Sequence, residues 1–149
     1  MKKVMLLHGV NHDMFGKRDP KQYGTITLKE INDNVDKLAK ELGIEVTNFQ
    51  TNHEGEFVEK IHQAYLEGYD GVMLNAGAWT HYSHGIGDAL RMLECPIIEL
   101  HMSNVHAREE FRHYSVISPI ANGIIVGLGS QVYTLGLQAF ANMFAEENK

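Results

Sequence analysis

The feature that most constrains this chain is a repeated switch between two hydrophobic periods. Short runs such as Val72-Met73-Leu74 and Ile124-Ile125-Val126 are apolar on consecutive residues, as strands are when helices cover both faces. Val4–His8, Gly71–Asn75, Pro96–His101 and Gly123–Gly127 are predicted strands of this kind, and Val46–Phe49 is an alternating one. Helical patterns lie between them. Thr27 with Glu30 forms a capping box ahead of Leu28, Ile31, Val35, Leu38, Ala39 and Leu42, and Gly43 ends that segment. A second helix is predicted over about 54–67, with Phe57, Ile61 and Ala64 inward, and a third over roughly 85–93. The last follows Ser130, with Leu135, Phe140, Met143 and Phe144 near one face. Strand–helix alternation implies a parallel sheet with right-handed crossovers. Five strands predict an α/β, flavodoxin-like doubly wound sheet with helices on both faces, residues 1–149 forming one domain.

Composition narrows the function. A hydrophobic fraction of 44% and a charged fraction of 21% fit a globular chain. A net charge of −6 speaks against nucleic acid as a partner. No apolar run approaches the ~20 residues of a membrane span, and Val4–Leu7 stops at His8-Gly9, short of a signal-peptide core. Cys95 is the only cysteine, so no intrachain disulfide forms and a cytoplasmic location is expected. Between Glu94 and Pro96 it reads as a structural residue rather than a reactive thiol.

Two connections exceed what the scaffold needs. Val10–Ile26 and Ser103–Asn122 each follow a predicted strand end, where open α/β sheets bind ligands, and loops this long are often functional lids. Glu99 and His101 lie two apart on one strand, hence on one face. A carboxylate beside an imidazole suits a general acid or base; the alternative is a buried structural hydrogen bond. Tyr23 stands near Arg18 in the first loop. Its phenol, with a reference pKa of about 10, needs nearby guanidinium charge to work as a base near neutrality, whereas most loop tyrosines simply pack their rings. Nine histidines, among them His81, His84, His101 and His106, invite a metal reading, but no His-Glu-x-x-His occurs. Gly127-Leu128-Gly129-Ser130 reads as a tight turn before it reads as a phosphate cradle, and no Gly-x-Ser-x-Gly is present.

Three segments carry a family resemblance. His8-Gly9-Val10-Asn11 with Gly16 through Gly24, Asn75 through His81, and Glu99 through Arg112 resemble the motifs of type II 3-dehydroquinate dehydratase. Ser118-Pro119-Ile120-Ala121 and Gly127-Leu128-Gly129 extend the likeness over essentially the whole chain. The resemblance implies a cofactor-free, metal-free hydro-lyase acting on a small molecule, 3-dehydroquinate, in the shikimate pathway or quinate breakdown. It also implies a homododecamer of four trimers. It assigns Tyr23 as base, Arg18 as its activator, Asn11 as positioner of a water at the enolate, and His101 as acid oriented by Glu99. Asn75 and the backbone amides of Met102 and Ser103 would take the substrate carboxylate; His81, Arg112 and a neighbouring subunit's Asp88 would take its hydroxyls. The chain departs from the family pattern at Val10 (proline), His12 (apolar), His84 (small or apolar) and Gly87 (arginine). Val10, His12 and Gly87 keep open a related lyase or isomerase acting on another cyclic hydroxy acid; a third reading, a non-catalytic ligand-binding oligomer, is opposed by the presence of Tyr23, Arg18, His101 and Glu99.

Overall fold

The computed structural model describes residues 1–148. Five parallel strands form one sheet: β1 (Lys2–His8), β2 (Ile44–Gln50), β3 (Gly71–Asn75), β4 (Ile97–His101) and β5 (Gly123–Val126), in the order β2-β1-β3-β4-β5. This is the flavodoxin-like order, whose chain direction across the sheet reverses between β1 and β3. The helices are α1 (Pro20–Tyr23), α2 (Leu28–Leu42), α3 (Glu54–Leu66), α4 (His84–Leu90) and α5 (Gln131–Glu147).

The two apolar layers follow from strand alternation. Val4, Leu6, Met73, Ile98 and Leu100 pack under α2 and α5. Met5, Leu7, Val72, Leu74 and Ile97 pack under α3 and α4. Residues Val4 to Leu7 and Val72 to Leu74 are fully buried, which explains why those runs are apolar on consecutive positions. By the same alternation, Glu99 and His101 fall on the α3/α4 side of β4, sharing it with Ile97.

Local signals acted as expected at the helix ends. Thr27 Oγ1 accepts the Glu30 N–H while the Glu30 carboxylate accepts the Thr27 N–H, closing the capping box, and α2 ends at Gly43. Phe57, Ile61 and Ala64 are the buried residues of α3. Two expectations shift. Leu135 is 42% exposed, because α5 buries a stripe of Val132, Tyr133, Gly136, Leu137, Phe140 and Phe144 that leaves position 135 on the outer side. The third helix begins at His84 and ends at Leu90 rather than near Leu93.

The long connections are not featureless. The first carries a 3₁₀ turn, His12–Met14, and α1, whose start is capped by the Asp19 carboxylate on the Lys21 N–H at 3.0 Å. The second carries two 3₁₀ turns, Val105–Ala107 and Glu110–His113. Gly127 and Gly129 donate their N–H groups to the carbonyls of His101 and Met102, so this segment is a turn and those two amides are spent.

The β1 and β3 ends are held together at Gly9, whose N–H donates to the Asn75 carbonyl at 2.8 Å. A Cβ at position 9 would stand 2.6 Å from the Ala76 carbonyl carbon and oxygen, contacts that force the backbone to move. Gly9→Ala is expected to cost about 2 kcal/mol or more, lowering the thermal midpoint by roughly 4–8 °C for a chain of this size. A midpoint within a degree of wild type in calorimetry would contradict this.

Candidate active site

Three strand ends meet at the rim. The cavity between them measures about 560 Å³ to its open mouth and is lined by Asn11 and His12 after β1, Asn75 and Gly77 after β3, and His101, Met102 and Ser103 after β4. Arg18 and Tyr23 from the first loop, and Arg108 and Arg112 from the second, complete it together with His81. Its concave shape and few convergent polar groups suit a small-molecule ligand, and its position at the β1/β3 reversal is where doubly wound sheets bind ligands. Three arginines facing one cavity in an acidic chain concentrate positive potential there and favour an anionic ligand.

One wall is built on Glu99, only 2% exposed. Its Oε2 accepts from His101 Nε2 at 2.5 Å and from Ser115 Oγ at 2.9 Å, and its Oε1 accepts from Ser118 Oγ at 2.5 Å. Burial pushes the Glu99 carboxyl up, but the hydrogen bond and charge of His101, with the hydroxyls of Ser118 and Ser115, outweigh it and hold it below the ordinary value. Glu99 is therefore a carboxylate, His101 Nε2 carries a proton, and Nδ1 is left for the cavity. His81 stacks beside His101 with ring centroids 6.4 Å apart. The Tyr114 carbonyl accepts from His81 Nδ1 at 2.8 Å. Burial lowers the His81 pKa, with Tyr114 opposing and the His101 and Arg112 charges reinforcing. The neutral ring then presents an accepting Nε2.

The other wall is built on Tyr23. Arg18 Nη2 donates to its hydroxyl at 3.1 Å and Arg108 Nη1 at 2.9 Å. The Arg18 guanidinium also lies 4.0 Å over the phenol ring. Arg108 Nη1 reaches Ser103 Oγ at 3.1 Å as well, tying the two loops together. Asn11 has left-handed backbone (φ 68°), which asparagine tolerates better than most residues, and its N–H donates to Asn52 Oδ1 at 2.8 Å.

Of the residues expected from sequence, Asn11, Arg18, Tyr23, Asn75, His81, His101, Met102, Ser103 and Arg112 line this cavity, and Glu99 supports it from behind. Asp88 does not line it; it is exposed on α4. The Asn75 amide is partly occupied, its Nδ2 donating to Tyr133 Oη at 3.0 Å and its Oδ1 accepting from Gly77 N–H at 3.2 Å. The backbone N–H groups of Met102 and Ser103 have no protein acceptor among the described residues. Sequence reasoning missed the role of Arg108. Arg108 and Arg112 lie four apart in one polar segment, and only the fold turns the first onto Tyr23. It also missed Ser115, which nothing in the spacing linked to Glu99.

Behind the rim, His8 is fully buried and its Nε2 donates to Asn32 Oδ1 at 2.9 Å. Burial lowers its pKa to about 4, the Asn32 hydrogen bond offsetting only part. The unfolded chain, with an ordinary value near 6.5, therefore binds more protons between these limits. The stability His8 contributes is complete above pH 6.5 and is lost as the pH falls to 4, by about 3 kcal/mol. In denaturant titrations from pH 7 to 4, His8→Gln is expected to remove this share of the acid slope; an unchanged slope would contradict it.

The comparisons with known proteins agree over nearly the full chain. Residues 2–141 match the family model "Dehydroquinase class II". A 3-dehydroquinate dehydratase of Syntrophotalea carbinolica is 60% identical over 99% of this chain and 100% of its own length. One of Leptothrix cholodnii is 59% identical over 94% of each chain. Among solved structures, the type II dehydroquinase of Propionibacterium acnes superposes with a TM-score of 0.92 at 41% identity, covering 95% of this chain and 97% of its own. That of Butyrivibrio crossotus gives 0.91 at 40%, covering 93% and 97%.

Proposed function

The chain belongs to the class II dehydroquinase family, and we propose that its rim cavity dehydrates 3-dehydroquinate to 3-dehydroshikimate, reversibly, through an enolate. The observation that carries this is Tyr23 Oη under two guanidinium donors, in the same cavity as the Glu99–His101 pair. Proton removal beside a ketone needs a base and enolate stabilisation, and loss of hydroxyl needs an acid. The cavity offers a candidate for each.

Tyr23, as phenolate, takes the C2 proton, and the C–H electron pair moves into the C2–C3 bond as the ketone becomes an enolate. Arg18 and Arg108 compensate the negative charge on the tyrosine oxygen, and Asn11 holds a water against the enolate oxygen. The ketone then re-forms, the C1–O bond breaks, and His101 gives its Nδ1 proton to the departing hydroxyl while the Glu99 carboxylate balances the imidazolium. The product is the conjugated enoate plus water. The substrate carboxylate sits on the Met102 and Ser103 N–H groups with Asn75, and the ring hydroxyls meet His81 and Arg112. Asp88, exposed on α4, reaches the cavity of a neighbouring subunit in a dodecamer of four trimers. The enzyme serves the shikimate pathway or quinate breakdown in the cytoplasm. The reading as a related lyase or isomerase rests on Val10, His12 and Gly87, none of which displaces a proposed catalytic side chain, and the presence of Tyr23, Arg18, His101 and Glu99 speaks against a non-catalytic binder.

Purified protein mixed with 3-dehydroquinate is expected to raise the ultraviolet absorbance of the enoate; no product at high enzyme concentration would overturn the reading. Tyr23→Phe and Arg18→Ala are each expected to lower kcat about 10³-fold or more without changing the oligomer. Arg108→Ala is expected to lower it roughly 10²- to 10³-fold, the scale for one lost charge-stabilising donor. Full activity in Tyr23→Phe would mean the base lies elsewhere. Because no lysine lines the cavity among the described residues, borohydride added with substrate is expected to leave activity intact; inactivation would point to a Schiff base.

A further inference from the structure

His12 is the one departure from the family pattern that lies on the cavity wall with a polar atom to offer. It is only 2% exposed. Its ring is fixed on both sides: it stacks on Phe15 with centroids 4.7 Å apart and planes 17° apart, and the Gly9 N–H, shared with the Asn75 carbonyl at 2.8 Å, donates to Nδ1 at 3.0 Å. That bond decides the tautomer. A nitrogen that accepts a backbone N–H carries no proton, so the neutral ring holds its hydrogen on Nε2. Burial drives the His12 pKa well down, and the His8, Arg18 and His101 charges push the same way, so the ring is neutral at pH 7.

The Nε2–H has no protein acceptor among the described residues. It lies beside Gly77, 3.2 Å from where a Cβ at that position would stand. Gly77 has φ +60° and also lines the cavity; its missing side chain leaves the imidazole room at the wall. An imidazole N–H left free at a cavity wall is a donor for whatever the cavity holds.

The ring order of the substrate indicates what that is. C2 lies between C1, which bears the departing hydroxyl and carboxylate, and C3, which bears the ketone. With the Glu99–His101 pair and the Met102 and Ser103 amides at C1, and Tyr23 at C2, the ketone oxygen falls on the remaining wall, formed by Asn11 and His12. Phe15 links that wall to the base, its ring 5.7 Å from Tyr23 and stacked on His12. We infer that His12 is a further catalytic residue, whose neutral Nε2–H donates to the substrate oxygen that becomes the enolate, beside the water positioned by Asn11. This rests on the dehydratase reading of the site. It adds a direct, preorganised donor where charge develops, the kind of group that lowers an enolisation barrier.

The test separates this inference from that reading. Wild-type turnover of 3-dehydroquinate examines the reading; the His12 variants, measured only against an active wild type, examine the donor. His12→Phe keeps an aromatic ring to stack on Phe15 and removes both nitrogens, His12→Leu keeps an apolar filler, and His12→Gln restores a side-chain N–H, while the Gly9 N–H keeps its Asn75 acceptor in all three. The Phe and Leu variants are expected to lose about tenfold in kcat with KM changed less than about threefold. Their isotope effect with C2-deuterated substrate should be larger than wild type's, because proton removal becomes more rate-limiting. His12→Gln is expected to recover most of kcat. Should either apolar variant fail to fold, the other with His12→Gln still decides the matter. Wild-type kcat in a folded apolar variant would overturn the assignment. So would a loss confined to KM, an unchanged isotope effect, or a Gln variant as impaired as the Phe one.

Discussion

The site depends on one buried carboxylate. Glu99 lies at the midpoint of β4, 2% exposed, and a charge there is tolerable only if fully compensated. Its compensation comes from His101 on its own strand and from Ser115 and Ser118 in the following connection. The segment from Ser103 to Asn122 is thereby anchored to the sheet at its far end. Between the anchors it carries Arg108 to Tyr23 and Arg112 to the cavity. One charge thus orients an imidazole and positions a loop.

The opposite wall works by the same economy. Tyr23 is packed against the core beneath α2 and α5, its ring near Phe15 and its hydroxyl shared by two guanidinium groups. Arg108 also bonds Ser103 Oγ, so Tyr23, the second loop and the segment just after β4 are tied together. Charge is arranged in advance, with anionic Glu99 behind His101 and cationic Arg18 and Arg108 at Tyr23. Preorganised charge of this kind is what stabilises charge that develops during a reaction.

Much of this was legible in the residues. Consecutive apolar runs identified buried parallel strands, and the Thr27–Glu30 capping box marked the start of α2. Two-residue spacing put Glu99 and His101 on one face. Leu135 misled because the apolar stripe of α5 is set by which side meets Met73 and Leu100, and that depends on how the helix docks. Tyr23 and Arg18 stood out only through family likeness, since a loop tyrosine near an arginine has no period to read. Arg108 could not be told from Arg112, and Ser115 was invisible, because their partners lie 85 and 16 residues away in sequence.

By itself, then, the sequence determined the strand–helix alternation, the parallel doubly wound sheet and the rim at which polar residues gather, because these follow from local periodicity and capping. Only the tertiary structure decided which side chains meet. It brought Arg108 onto Tyr23, closed Ser115 and Ser118 around Glu99, and set His12 with its Nδ1 bound and its Nε2 free. Those pairings join distant segments, and the only force that selects among them is the cost of leaving a buried charge or donor unpaired once the core has closed.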